Sequence, residues 1–185
     1  ESLDLQELIQ NAEDVGACPE KLYYVKAFSN MKDLLENADK DDLLYYILWY
    51  AEHVLKGCFP EAEDLIATDA EWSYHYAAEV IEDRFLKGET AIATSPDWAF
   101  YYSRDVIKGR FPEGETAIAT APKWAFYYIQ EVIRTRFPEA ELALVTNVHW
   151  AYWYAENVLK GRFPEGEDRI LKSMFRDRYL ALIAQ

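Results

Sequence analysis

The chain has 185 residues, half of them apolar and 16% aromatic, with a formal net charge of −14. That is enough apolar material to bury a core, and it excludes a disordered acidic tail. The acidity argues against nucleic-acid phosphate or an anionic membrane as a direct ligand, since both demand clustered Lys and Arg, and it suits a protein partner with a basic surface.

Residues 1–45 hold 11 acids and 4 bases, about half of the acidic excess. A helix is predicted around Leu3–Gln10, followed by a degenerate hairpin over 20–45, together an acidic N-terminal cap. Leu22-Tyr23-Tyr24 mimics Phe100-Tyr101-Tyr102, but Asp33 and Asn37 stand where later copies carry Phe and Glu. Cys18 and Cys58 fit no metal-ligand spacing and are too few for a disulfide framework, which suits a reducing cytoplasm. No apolar run approaches the ~18 residues of a membrane span, and no secretory leader is legible. The expected location is cytoplasmic.

From 46 to 175 a block of 26 residues is read five times. Tyr50, Tyr76, Tyr102, Tyr128 and Tyr154 coincide, as do Phe59, Phe85, Phe111, Phe137 and Phe163. Four residues after each Phe come Glu63, Glu89, Glu115, Glu141 and Glu167. Such self-similarity means one supersecondary unit stacked on its copies. Each block reads as two helices. In the third, Ser95-Pro96-Asp97 gives an N-cap, a proline at the first helical position and an acid in the first turn. The long helix should run to about Lys108, with Gly109 as its left-handed stop. Phe111-Pro112-Glu113 opens a shorter helix ending near Thr120. At 100° per residue, Trp98, Ala99, Tyr102 and Val106 share one sector, with Phe100 and Ile107 roughly opposite. A helix apolar on two sides belongs between neighbours. The second copy, Arg84–Glu89, lacks the proline, which puts its short-helix start in question. Residues 176–185 read as a closing helix. The expected fold is an all-α solenoid of about five helical hairpins, 12–14 helices in all, with degenerate capping helices at both ends.

The run KGRFPEGE, at Lys108–Glu115 and again at Lys160–Glu167, follows a Tyr-rich helix. It resembles tandem repeats of uncharacterised phage and large-DNA-virus proteins. The resemblance spans Tyr46–Phe175 and carries no common chemistry. It implies a viral product acting in the host cytoplasm on host machinery, for instance as an inhibitor or adaptor directed at a defence protein.

Catalytic, metal-binding and cofactor signatures are not found: His53, His75 and His149 are far apart in sequence, and no phosphate loop or nucleophile elbow occurs. No enzyme is expected. The recurring Glu column, against the Arg84, Arg110, Arg136 and Arg162 column, reads as ion pairs tying hairpins together. The candidate partner-binding residues are Trp49, His75, Tyr101, Tyr127 and Trp153. On the helical wheel they fall among polar residues, where core logic does not place aromatics; the plain alternative is that neighbours cover them. Glu61, Glu113, Glu139 and Glu165 are candidate phosphate-mimicking acids, for the alternative in which the chain occupies a nuclease or restriction/CRISPR-type complex in place of DNA.

Overall fold

In the computed structural model, which describes residues 4–184, 14 α-helices and no strand are found among the described residues. The chain divides into two compact units, Glu1–Ala91 and Ile92–Gln185. Both are built from the same layer: a long helix, a tight reversal and a short helix.

In the first unit, Leu5–Asp14, Pro19–Lys26 and Met31–Asn37 form the cap and bury Leu5, Leu8, Val25 and Leu34. The helix expected around Leu3–Gln10 is thus Leu5–Asp14; Leu3 lies outside the described residues. The 20–45 segment is helical as expected, but Lys40–Tyr50 runs straight across position 45, so the first repeat's long helix begins inside the cap. Asp39 starts it by accepting from the N–H groups of Asp41 and Asp42. Asp69 does the same for Ala70–His75, and in the second unit Asn147 for Val148–Tyr154. Ser95 behaves otherwise: its hydroxyl bonds the Asp97 carboxylate rather than the backbone, and Asp97 itself accepts from Trp98 N–H at 3.0 Å. The expected Ser95 cap is therefore only positional.

Every long helix widens in its second half. Ala51–Leu55, Tyr76–Ile81, Tyr102–Ile107, Tyr128–Ile133 and Ala155–Leu159 are π-helical, with hydrogen bonds reaching back five residues instead of four. The reversal that follows is left-handed at Lys56, Glu82, Lys108, Arg134 and Lys160, with φ of 50–55°. This corrects the expectation for Gly109. Lys108 takes the positive φ, which lets its own N–H and that of Gly109 turn back onto the same Ser103 carbonyl. Gly57 and Gly161 close onto Ala51 and Ala155 in the same way, at 3.1 Å each.

The short helices differ by one side chain. Where Gly114 and Gly166 occur, the α-helix runs from the proline, as Pro112–Thr120 and Pro164–Leu171. Where Ala62 and Ala140 replace them, a 3₁₀ turn (Pro60–Ala62, Pro138–Ala140) precedes the helix. A Cβ at Gly114 would stand 2.7 Å from both the Ala99 Cβ and the Phe111 ring, so the α-helical start tolerates none. The second copy, without proline, begins its helix only at Glu89. Arg176–Ile183 closes the second unit and buries Tyr179; Gln185 lies outside the described residues.

The recurring Tyr and Phe columns form the core as expected, joined by one aliphatic column. All five Tyr of the 50–154 column are 0% exposed, the five Phe 0–3%, and Ile66, Ile92, Ile118, Leu144 and Ile170 are 0–1%. On the long helix Ala99, Phe100 and Tyr102 are buried, while Trp98, Val106 and Ile107 are partly covered. Each buried Phe or Ile contributes about 1.5–3 kcal/mol, which is why one layer cannot stand alone and several together can. No helix among the described residues is long and apolar enough to cross a membrane.

Candidate partner-binding surface

Position in the layer decides what the aromatic column can do. Trp49, His75, Tyr101, Tyr127 and Trp153 each lie one residue before a fully buried Tyr, at the edge of the long helix, and all five are half-buried. The two readings of the sequence therefore meet: one side of each ring is packed and the other is open.

In the second unit the packed side is an unbroken series of ring contacts. Trp98 meets Tyr101 at 5.7 Å, Tyr101 meets Trp124 at 5.4 Å, and Trp124 meets Tyr127 at 6.2 Å between centroids. Tyr127 meets Phe126 at 5.2 Å, and Phe126 meets Trp153 at 4.4 Å. Phe100, which the uniform wheel put on a separate sector, packs against Trp124 and Tyr127 of this series, and it and Phe126 are 2% and 9% exposed. Arg104 lies 4.9 Å from the Tyr101 ring centre while paired to Asp105, and Lys123 Nζ lies 4.2 Å from that of Trp124. Cations over ring faces are favourable in water and more so when desolvated. Phe100, Tyr101, Arg104, Lys123, Tyr127 and Glu131 share the wall of a shallow depression of about 180 Å³. Trp153 lines a broader one with Arg134, Arg136 and Lys160.

In the first unit, Trp49 and His75 line one groove of about 320 Å³ with His53, Trp72, Glu52 and Glu79. Trp49 stacks on His53 at 5.3 Å and 15°, and His75 Nδ1 lies 2.8 Å from Glu79. Two histidines that are distant in sequence thus share a wall, because one repeat places them on adjacent long helices. Among the described residues no three His, Cys, Asp or Glu side chains form a metal-binding group.

The two acid columns behave differently. Glu115 is bidentate to Arg110 (2.7 Å twice), and its carboxyl is held below the usual range, first by that guanidinium and against the opposing effect of burial. Glu89, Glu141 and Glu167 pair with Arg84, Arg136 and Arg162 in the same way. These pairs are five residues apart within one copy, so they do not tie hairpins together as expected. The tie is a tyrosine that spacing alone did not reveal. Tyr128 of the next copy accepts from Phe111 N–H (3.2 Å) and donates to Glu115 (2.6 Å). Tyr154 does this for Phe137 and Glu141, Tyr76 for Phe59 and Glu63, and Tyr179 accepts from Phe163 N–H at 2.9 Å. Burial pushes the hydroxyls of Tyr76, Tyr128 and Tyr154 well above their ordinary pKa. Glu61, Glu113, Glu139 and Glu165, by contrast, are exposed and make no ion pair among the described residues. The arrangement can present aromatic surface and free carboxylates to a macromolecule.

Compared with protein-family models, with curated proteins and with solved structures, the chain finds no match in any of the three.

Proposed function

We propose that the chain is a non-enzymatic protein-binding repeat module that docks its partner on the half-buried aromatics of its long helices. The observation that carries this reading is the ring series from Trp98 to Trp153, buried on one side and bordered on the other by Arg104, Lys123 and Glu131. Rigid, pre-packed Tyr and Trp flanked by charge are the groups that dominate protein interfaces, since they lose little entropy when covered. A net charge of −14 favours a basic partner, and the likeness of KGRFPEGE to viral tandem repeats directs the search to host proteins.

The test is affinity capture from bacterial lysate at low and high salt with identification by mass spectrometry, then binding by variants. Lys123→Glu, at an exposed position, should weaken the complex with folding intact; Tyr101→Ala with Tyr127→Ala should abolish it. A complex indifferent to all three substitutions would refute the aromatic site.

One observation favours a second reading, DNA mimicry. Of the two acid columns, only Glu61, Glu113, Glu139 and Glu165 make no ion pair among the described residues. A mimic's complex would collapse steeply with salt and be competed by duplex DNA. Salt tolerance with loss on Tyr101→Ala would favour the aromatic surface.

A further inference from the structure

One column of the repeat, three residues beyond each buried Tyr, reads His53, Glu79, Asp105, Glu131 and Asn157. Its members line grooves between successive long helices. Glu79 lines the groove of Trp49 and His75 together with Glu52, and Glu131 lines the depression of Tyr101 and Tyr127 together with Arg104. In the second unit a further cleft, of about 530 Å³, lies between the fourth and fifth long helices, and there the column supplies Asn157. Gln130, Arg134, Arg136, Trp153 and Lys160 share its wall, and no acid does.

A cation at the reversal after the long helix recurs as Lys56, Lys108, Arg134 and Lys160, as suits the negative end of a helix. That accounts for Arg134 and Lys160 singly. It does not account for a wall they share without an acid, in a chain of 33 acids and 19 bases. Arg136 is committed to Glu141, but Arg134 and Lys160 are exposed and make no ion pair among the described residues. The Asn157 amide gives one N–H to the Trp153 carbonyl at 3.0 Å and keeps a second. The cleft thus combines two uncompensated cations, amide donors and a half-buried indole.

The charge selects an anion. A phosphate offers three oxygens to two cations and two amides, where a carboxylate offers two, and hydrogen bonds from cations to such oxygens are the strong ones. Trp153 selects an anion that carries a flat ring, since any nucleobase stacks on an aromatic side chain. The net charge of −14 limits the size: a polyanion would meet the field of the whole surface, whereas one phosphate feels mainly the cations within a Debye length. The volume lies in the range of small-ligand sites.

We propose that this cleft binds a mononucleotide, its phosphate held by Arg134, Lys160 and the Gln130 and Asn157 amides, and its base against Trp153. This is a small-molecule site beyond the protein-docking surface, although Trp153 borders both.

The test is calorimetric and NMR titration of the whole chain at fixed ionic strength with AMP, adenosine, ribose 5-phosphate and inorganic phosphate. AMP should saturate, and each of the other three should bind at least about tenfold more weakly. Arg134→Gln with Lys160→Gln should weaken AMP about tenfold and leave adenosine unchanged. Asn157→Asp, which restores the acid that three earlier copies carry in this column, should weaken AMP about fivefold and also leave adenosine unchanged. All three positions are exposed, so circular dichroism should be unaltered. Failure of AMP to saturate, ribose 5-phosphate binding as tightly as AMP, or AMP affinity unchanged in these variants would overturn the assignment. Arg134, Asn157 and Lys160 do not line the depression of Tyr101 and Tyr127, and Trp153 is kept, so those outcomes leave the protein-binding reading untouched.

Discussion

Lys87 Nζ lies 3.2 Å from the carboxylate of Glu63 and 3.0 Å from that of Asp64, the place an arginine takes in every later copy. Two departures from the repeat explain each other. Copy one has Cys58 where the others have Arg84, Arg110, Arg136 and Arg162, and copy two has Lys87 where the others have Glu61, Glu113, Glu139 and Glu165. The cation missing from one layer is supplied by the next, which makes Glu63 the one member of its column paired with a cation of another copy among the described residues.

The pair predicts a rescue. Lys87→Ala should lower the thermal midpoint by no more than a few degrees, since Lys87 is exposed and such pairs are screened. Cys58→Arg alone should change little, because the cation is already present, yet in the Lys87→Ala background it should recover the loss. Differential scanning calorimetry of the four proteins is the check; additive effects would show that the two positions are independent.

Tyr128 and Tyr46 predict opposite effects of the same change. Tyr128→Phe strips the Phe111 N–H and Glu115 of a shared partner in a buried site, and should cost about 1–3 kcal/mol by denaturant unfolding. Tyr46→Phe removes a buried hydroxyl that has no hydrogen-bond partner among the described residues, so it should be neutral or mildly stabilising.

Much of this was legible beforehand, because the Tyr, Phe and Ile columns recur at a fixed period and repetition marks what the stack must bury. What escaped has physical causes. A wheel of 100° per residue assumes an even helix, whereas each long helix turns π-helical at or one residue after the buried Tyr. Phe100 and Phe126 precede the π segments and meet aromatics of the next copy, Trp124 at 5.6 Å and Trp153 at 4.4 Å, contacts between layers that a single-helix wheel does not contain. Tyr179 continues the tyrosine series 25 residues after Tyr154 rather than 26, one residue out of the period that marks the other members.

Stability should fall at both ends of the pH scale, for different groups. Glu115 is held below its ordinary 4.5 in the folded chain, chiefly by Arg110, so its contribution is complete above about pH 4.5 and is lost as pH falls through the folded value. Tyr76, Tyr128 and Tyr154 are raised above 10.0, chiefly by burial, so their contribution is complete below pH 10 and is lost as pH rises beyond it. Glu115→Gln should flatten the acid limb and, by removing the carboxylate that Tyr128 donates to, ease the Tyr128 part of the alkaline one. Tyrosinate absorbance of the three buried residues should appear only with alkaline unfolding; early titration of all tyrosines would contradict the burial.

Three glycines predict a graded series, because a methyl group added at each meets a different wall. At Gly57 a Cβ has nothing within 4 Å and the backbone is not left-handed, so Gly57→Ala should be neutral or stabilising by about 0.4–1 kcal/mol through the unfolded chain. At Gly166 the Ala151 Cβ would be 3.3 Å away, and at Gly114 the Ala99 Cβ would be 2.7 Å away, with the preceding Phe ring at 2.7 Å in both. Gly114→Ala should therefore cost the most, about 1–3 kcal/mol, and Gly166→Ala less. The chain itself shows how the strain is relieved. Ala62 and Ala140 hold this position by starting the short helix with a 3₁₀ turn, so Gly114→Ala should shift Pro112–Gly114 into that geometry while the buried Ile118 stays in place. Urea titrations of the three variants check the order, and backbone chemical shifts at 112–114 check the change of turn. Equal losses at Gly57 and Gly114 would show that the approach of the long helix does not set the choice between Gly and Ala.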